Sequence, residues 1–337
     1  LSHRLVSRDS AWDVQYVGGS IVAVEPAGER FAAVLADGPD EDGSQVVIVG
    51  VDSGERIDVD VDDPTSVAWH TSEDIVAVGD GSGTIWFVDP ATGSAIRAVD
   101  TGAQWVRVDQ ITDSWILYHI EDGSFPGLGT AVVAEVASGE VVLEEPQSIY
   151  AEVSPSGAYV LSVGLRDGDD PADRNTKVRT LAGGMMVWAR DTDNTNHRRF
   201  TWAPDGDVLL WPTQDRLTRV DIAGGGEQFV ELSEEAPPFP TAVAASPDGR
   251  WMAIGGLDGS IRIVDAESLE PAVRLAAHAG NVVAVDWVPG RDRIVSLGGD
   301  RQILVSDLRS PPAAPSSSWV GSTGFPLTHV VMSATQR

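Results

Sequence analysis

The sequence predicts an all-β chain built from one repeated unit, and three observations carry that prediction. Short segments of alternating apolar and polar residues, rich in Val, Ile, Ala and aromatics, recur along all 337 residues, as half-buried strands require. Turn chemistry recurs with them: "SPDG" ends at Gly249, "APDG" at Gly206, "SPSG" at Gly157 and "EPAG" at Gly28. The spacing is also regular. Pro155, Pro204, Pro247 and Pro289 follow one another at 49, 43 and 42 residues. No segment sustains a helical period.

A second marker fits the same frame. "IVSLGGDRQILVSD" (Ile294–Asp307) aligns position by position with "MAIGGLDGSIRIVD" (Met252–Asp265), and "VLLWPTQDRLTRVD" and "VAVGDGSGTIWFVD" follow the pattern. Each is a hairpin that ends on Asp. Seven units result. The first runs through the Gly28 turn to Val51-Asp52. The second starts at "SVAWHTSED" and reaches Val88-Asp89, and the third starts at "VRVDQITDS". In the fourth, only 13 residues separate Asp191 from Pro204. That gap cannot hold both an outer strand and the next inner one. Thr176–Leu181 is therefore the third strand and Met185–Ala189 the outer one, which makes Trp188 a packing residue. The fifth ends its third strand at Val220-Asp221. The sixth reads as Thr241–Ala245, Trp251–Ile254, Ser260–Val264 and Pro271–Leu275. The seventh ends at Asp307 and then meets "RSPPAAPSSS" with no fourth strand in view.

Four strands every 40–45 residues describe the blade of a β-propeller. A lone twisted sheet cannot bury both faces, whereas seven packed radially can, leaving only short outer edges. The missing fourth strand of the last blade predicts closure by the N-terminal strand, placed at Trp12–Tyr16, with His329–Met332 as second choice. The expected organisation is an N-terminal extension over 1–11, the seven-bladed ring of four-stranded antiparallel blades over 12–309, and a Pro/Ser-rich linker and tail over 310–337.

On these residues the chain resembles the WD40-repeat β-propellers, over nearly all of residues 12–309. In that family a His before the inner strand, a Ser or Thr on the second strand, an Asp in the next turn and a Trp-Asp ending the third strand pin the blade. The resemblance implies that His278, Ser296 and Asp300 form such a structural network, with Asp258 at the equivalent place one unit earlier. Ser306 stands at the Trp position, and Val88, Val220 and Val264 precede the final Asp elsewhere. The repeats are thus degenerate, keeping the Asp without the Trp.

Composition excludes several functions. There is no cysteine, so disulfides, thiol nucleophiles and thiolate metal sites are absent. A net charge of −28 repels nucleic-acid phosphates and anionic membranes. No apolar run is long enough for a membrane span. Lys177 is the single lysine, which rules out a phosphate loop, and there is no Gly-x-Ser-x-Gly elbow. His70, His119 and His197 fall on separate units without metal-ligand spacing. No cofactor, metal or catalytic residue is expected. Trp69, Trp202 and Trp287 recur at one inner-strand position, which predicts packing between blades.

The candidate binding residues lie in three long connections between second and third strands: Asp37–Ser44, Glu121–Gly129 and Arg166–Asn175. In a propeller these emerge on one face, and long loops on a rigid scaffold carry binding. Asp37, Asp40, Asp42, Asp167, Asp169 and Asp170 supply charge, and Phe125 and Leu128 apolar anchors. A calcium site at Asp37, Asp40 and Asp42 lacks the terminal bidentate Glu. "DTDNTN" (Asp191–Asn196) reads as turn chemistry. The expected role is a non-enzymatic scaffold for a protein partner, possible as a subunit of a larger assembly, in the cytoplasm. Two alternatives stand beside it: a regulatory propeller of a larger signalling protein, such as a kinase or nucleotide-switch ATPase, and a metal-dependent propeller hydrolase or lactonase.

Overall fold

The computed structural model describes residues 3–5, 22–36, 44–121, 128–164, 175–191, 200–204, 207–212, 216–231, 239–300 and 302–308. All regular structure among them is antiparallel β, arranged as seven blades. Blade 1 is Val22–Val24, Arg30–Ala36, Ser44–Gly50 and Arg56–Val59. Blade 2 runs from Pro64 to Asp100, blade 5 from Thr201 to Glu231 and blade 6 from Pro240 to Ala276. The sixth blade's strands are Pro240–Ala245, Trp251–Gly256, Ser260–Asp265 and Pro271–Ala276, within two residues of the sequence prediction at every end. In blade 4 the third strand is Thr176–Thr180 and the outer one Met186–Arg190, the expected register. Trp188 packs, partly buried, against the core between blades 4 and 5.

The ring is closed by its cores. Seven apolar clusters are present among the described residues, one at each contact between neighbouring blades. The cluster between blades 7 and 1 joins Phe31, Leu35 and Val49 to Val288, Val295 and Ile303. Gly28 lies on that seam. Its φ is +69°, and a Cβ there would stand 2.5 Å from the Pro289 carbonyl oxygen, so the turn needs glycine twice over. Across the same seam Asp52 pairs with Arg291 and, at 2.6 Å, with Arg293, which hold its carboxyl below the usual range.

Two features depart from the sequence reading. An N-terminal strand does complete blade 7, but it is His3–Leu5, pairing with Leu304–Ser306. It falls inside the stretch assigned as an extension. Trp12–Tyr16 and His329–Met332 lie outside the described residues, as does the tail from 309. A three-residue strand offers too little alternation to be read from pattern. Blades 3 and 4 are also one continuous seven-stranded sheet. Val141–Val153 begins as the outer strand of blade 3, against Gly129–Ala134, and ends as the inner strand of blade 4, against Val160–Gly164. Gln147, at φ +55°, marks the transition.

The retained Asp at the end of the third strands has a local cause. Asp89 accepts the Ala91 N–H at 2.8 Å, Asp221 the Gly224 N–H at 2.7 Å, and Asp265 the N–H groups of Glu267 and Ser268. Each closes the turn into the outer strand, a job that needs no tryptophan.

Candidate functional site: top face and central channel

The face on which second-to-third connections and blade-to-blade connections emerge is here called the top. Hydrogen bonds pin its upper edge between blades. Thr65 Oγ1 donates to the Val106 carbonyl at 2.5 Å and Thr241 Oγ1 to the Val282 carbonyl at 2.6 Å, from equivalent Pro-Thr starts of inner strands. Lower down, Trp287 Nε1 donates to the Ala244 carbonyl at 3.0 Å and Trp202 Nε1 to the Glu152 carbonyl at 3.4 Å, each three residues before the turn proline of the preceding blade. Trp69 is buried in the core between blades 1 and 2. The recurrent inner-strand tryptophans are therefore packing residues.

The predicted network of blade 7 is present. His278 Nε2 meets Ser296 Oγ at 2.9 Å, His278 Nδ1 meets Asp300 Oδ1 at 3.0 Å, and the Ala279 N–H donates to Asp300 Oδ2 at 2.8 Å. Burial works against the Asp300 charge, yet the His278 contacts and the N–H groups of Ala279 and Gln302 hold its carboxyl below the usual range. Ser306, at the position where the resemblance implies a tryptophan, is fully buried. Replacing Ser296 by alanine leaves His278 Nε2 buried without this partner, and should cost about 1–2 kcal/mol in urea unfolding. Asp258 does not repeat the network. It caps its own turn by accepting from the Ser260 N–H and hydroxyl, because no histidine precedes blade 6.

Two further pins were not visible in the sequence. In blade 2, Asp80 accepts the Trp86 indole N–H at 2.7 Å together with the N–H groups of Ser82 and Thr84. Trp86 lies two residues before the expected position. In blade 3, Arg107 is buried and donates Nε–H to Asp109 at 3.0 Å and Nη2–H to the Ile149 carbonyl at 2.8 Å. Asp109 Oδ2 takes the His119 Nδ1–H at 2.6 Å, and His119 Nε2 meets Ser148 Oγ, in blade 4, at 3.1 Å. Burial opposes the Asp109 charge, but Arg107 and His119 overcome it and keep the carboxyl ionised. Burial and the neighbouring Arg107 hold His119 below its usual range. The arrangement ties blade 3 to blade 4 where the sheet is continuous.

The inner strands surround a cavity of about 330 Å³ lined by Gln110, Tyr150, Glu152, Thr201 and Asp286 among others. Burial pushes the Glu152 carboxyl up to about 7 despite the Tyr150 hydroxyl bond at 2.7 Å, and the Asp286 carboxyl up to about 6 despite N–H donors from Trp287 and Val24. Among the described residues no group of three or more His, Asp or Glu is placed to hold a metal ion.

Of the candidate binding residues, Asp37, Asp40, Asp42, Phe125, Asp167, Asp169 and Asp170 lie outside the described residues. Leu128 is described, and it is buried just before the third strand, so it is not an exposed anchor. The strands flanking the three connections do end on the top face. Eleven large apolar residues are exposed among the described ones, and they fall on two surfaces. Ile96, Val99, Val141, Met185, Met186 and Phe229 are among those on the outer rim of blades 2–5. Phe239 and Leu257 are on the top of blade 6.

The geometry defines the class: a seven-bladed β-propeller, similar to the WD40-repeat propellers. The model of the WD domain, G-beta repeat, matches residues 235–265. The match covers the first three strands of blade 6, one unit before the His278–Ser296–Asp300 network. WD repeat-containing protein 1 of Mus musculus is 24% identical over 222 residues, covering 48% of this chain and 34% of its own length. WD repeat-containing protein 91 of Xenopus tropicalis is 24% identical, covering 68% and 27%, and Actin-interacting protein 1 of Drosophila melanogaster is 24% identical, covering 45% and 32%. The chain thus spans about a third of the length of these relatives. A chain in the crystal structure of the mitotic checkpoint complex superposes with a TM-score of 0.68 at 14% identity, over 88% of this chain and 89% of that one. No helix among the described residues is long and apolar enough to cross a membrane.

Proposed function

We propose that this chain is a non-enzymatic interaction scaffold that meets a protein partner with its top face. The carrying observation is the placement of the three long connections, 37–43, 122–128 and 165–175. Their flanking strands end on the same side of a ring held by seven apolar interfaces. A rigid ring with length variation confined to one side is a platform. The relatives support the role: one bears actin interaction in its name, and the structural neighbour comes from a multi-protein complex. The hydrolase reading finds no support in the channel, where the carboxylates among the described residues form no ligand set.

The test is capture with photo-reactive residues placed at Asp40, Phe125 and Asp169, since the single lysine makes amine cross-linkers uninformative. Cross-linking of the same partner from two or more of these sites, lost on charge reversal of Asp37–Asp42 or Asp167–Asp173, is the expected result. Unchanged capture after reversal of all the loops would contradict the reading.

A further inference from the structure

We infer that the top of blade 6 binds a cationic peptide segment carrying one large apolar side chain, with Phe239 and Leu257 as its anchors. The inference deepens the scaffold reading by naming the chemistry of the partner. Phe239 and Leu257 are 45% and 55% exposed, and they adjoin, the Leu257 N–H donating to the Phe239 carbonyl at 3.0 Å. The pair is held stiffly. Asp258 accepts from Ser260 across the Leu257 turn, and the Gly259 carbonyl accepts the N–H groups of Ala277 and His278 from the connection to blade 7. Phe239 has φ +54°. A bulky side chain in the left-handed region is strained, and such strain persists only where the surroundings fix it. A fixed, exposed aromatic presents a preorganised contact, which lowers the entropic cost of binding.

The charge around the pair selects the occupant. Asp258 and Asp300 lie on the top connections of blades 6 and 7, Asp258 facing Arg274 of the outer strand at 3.6 Å, and Asp60, Asp62, Asp63 and Asp191 extend the acidic top face on other blades. With a net charge of −28, the chain draws cationic ligands to this face and repels phosphates and acidic peptides. An arginine of the partner can also lie over the Phe239 ring.

The probes are three labelled 12-residue peptides measured by fluorescence polarisation: an Arg/Gly peptide with one central Leu, the same peptide with that Leu changed to Gly, and one with Glu for every Arg. The first is expected to bind. Its Leu→Gly form should bind at least about tenfold more weakly, and the acidic form not at all. Leu257→Ser with an unchanged melting temperature, and Phe239→Gly with a melting temperature no lower than the parent's, should each weaken the first peptide at least about fivefold. Should Phe239→Gly fail to fold, Leu257→Ser and the peptide series decide. Equal binding with and without the central Leu, binding unaffected by both substitutions, or no binding of the first peptide would overturn the inference. Partner capture through the long loops would then still stand, so the two readings fail separately.

Discussion

Replacing Arg107 by alanine is expected to destabilise the chain by about 3–5 kcal/mol, because it strands a buried carboxylate. Arg107 and the Asp109 side chain are 1% and 4% exposed. The substitution removes the Asp109 contact, the bond to the Ile149 carbonyl in blade 4 and the packed guanidinium stem at once. Asp109 would lose its cationic neighbour, and His119 is itself held toward its neutral form by burial. The double substitution Arg107→Met with Asp109→Leu removes both charges and should recover much of the loss, since a buried pair contributes little beyond an apolar replacement. Urea unfolding of both variants and the parent measures this. A cost below about 1 kcal/mol for Arg107→Ala would show that the network does not tie blade 3 to blade 4.

The second large effect concerns pH. Glu152 titrates at about 7 in the folded chain, above its ordinary value of 4.5, so the folded state holds this proton more tightly than the unfolded state. The resulting stability is fully present below about pH 4 and is lost as pH rises toward 7. Glu152→Gln removes the buried charge while keeping an oxygen to accept the Tyr150 hydroxyl. It should stabilise the chain by about 2–3 kcal/mol at pH 8 and by almost nothing at pH 4. Asp286→Asn should behave alike over a slightly lower window, since Asp286 titrates at about 6. Melting curves of each variant against the parent, at both pH values, separate this from the opposite linkage of Asp300 and Asp109. Those carboxyls are depressed; Asp109 also presses the Glu152 carboxyl upward, so Asp300 is the one that acts alike in every variant. A gain that is the same at pH 4 and pH 8 would contradict the assignment.

Seven units, four strands each, could be read from the sequence because the alternation and turn residues repeat. The blade 6 register agreed to within two residues for the same reason. The His278–Ser296–Asp300 network could be read because its three residues match a family motif in order. What escaped was non-repetitive. Arg107 looks like a surface charge in a chain whose cations are scarce, and only its neighbours across two blades make it a core residue. Trp86 fills a pinning role from an offset position. The passage of Val141–Val153 from one blade to the next leaves no signal, since an unbroken strand reads like two short ones with a missing turn. At the candidate site, loop length pointed to the face. Leu128 was misjudged because an apolar residue beside a strand start is as easily the first buried position as an exposed anchor. Phe239 and Leu257 were overlooked because exposure of a short apolar pair depends on tertiary packing.

The top face, and not the exposed apolar rim of blades 2–5, is expected to receive the partner. Hydrogen–deuterium exchange of the intact chain with and without the captured partner tests it most directly. New protection is expected in residues 60–63, 257–259 and 277–281, and none in the outer strands Ser94–Asp100 and Met186–Arg190. Protection confined to those outer strands, with the top connections unchanged, would contradict it.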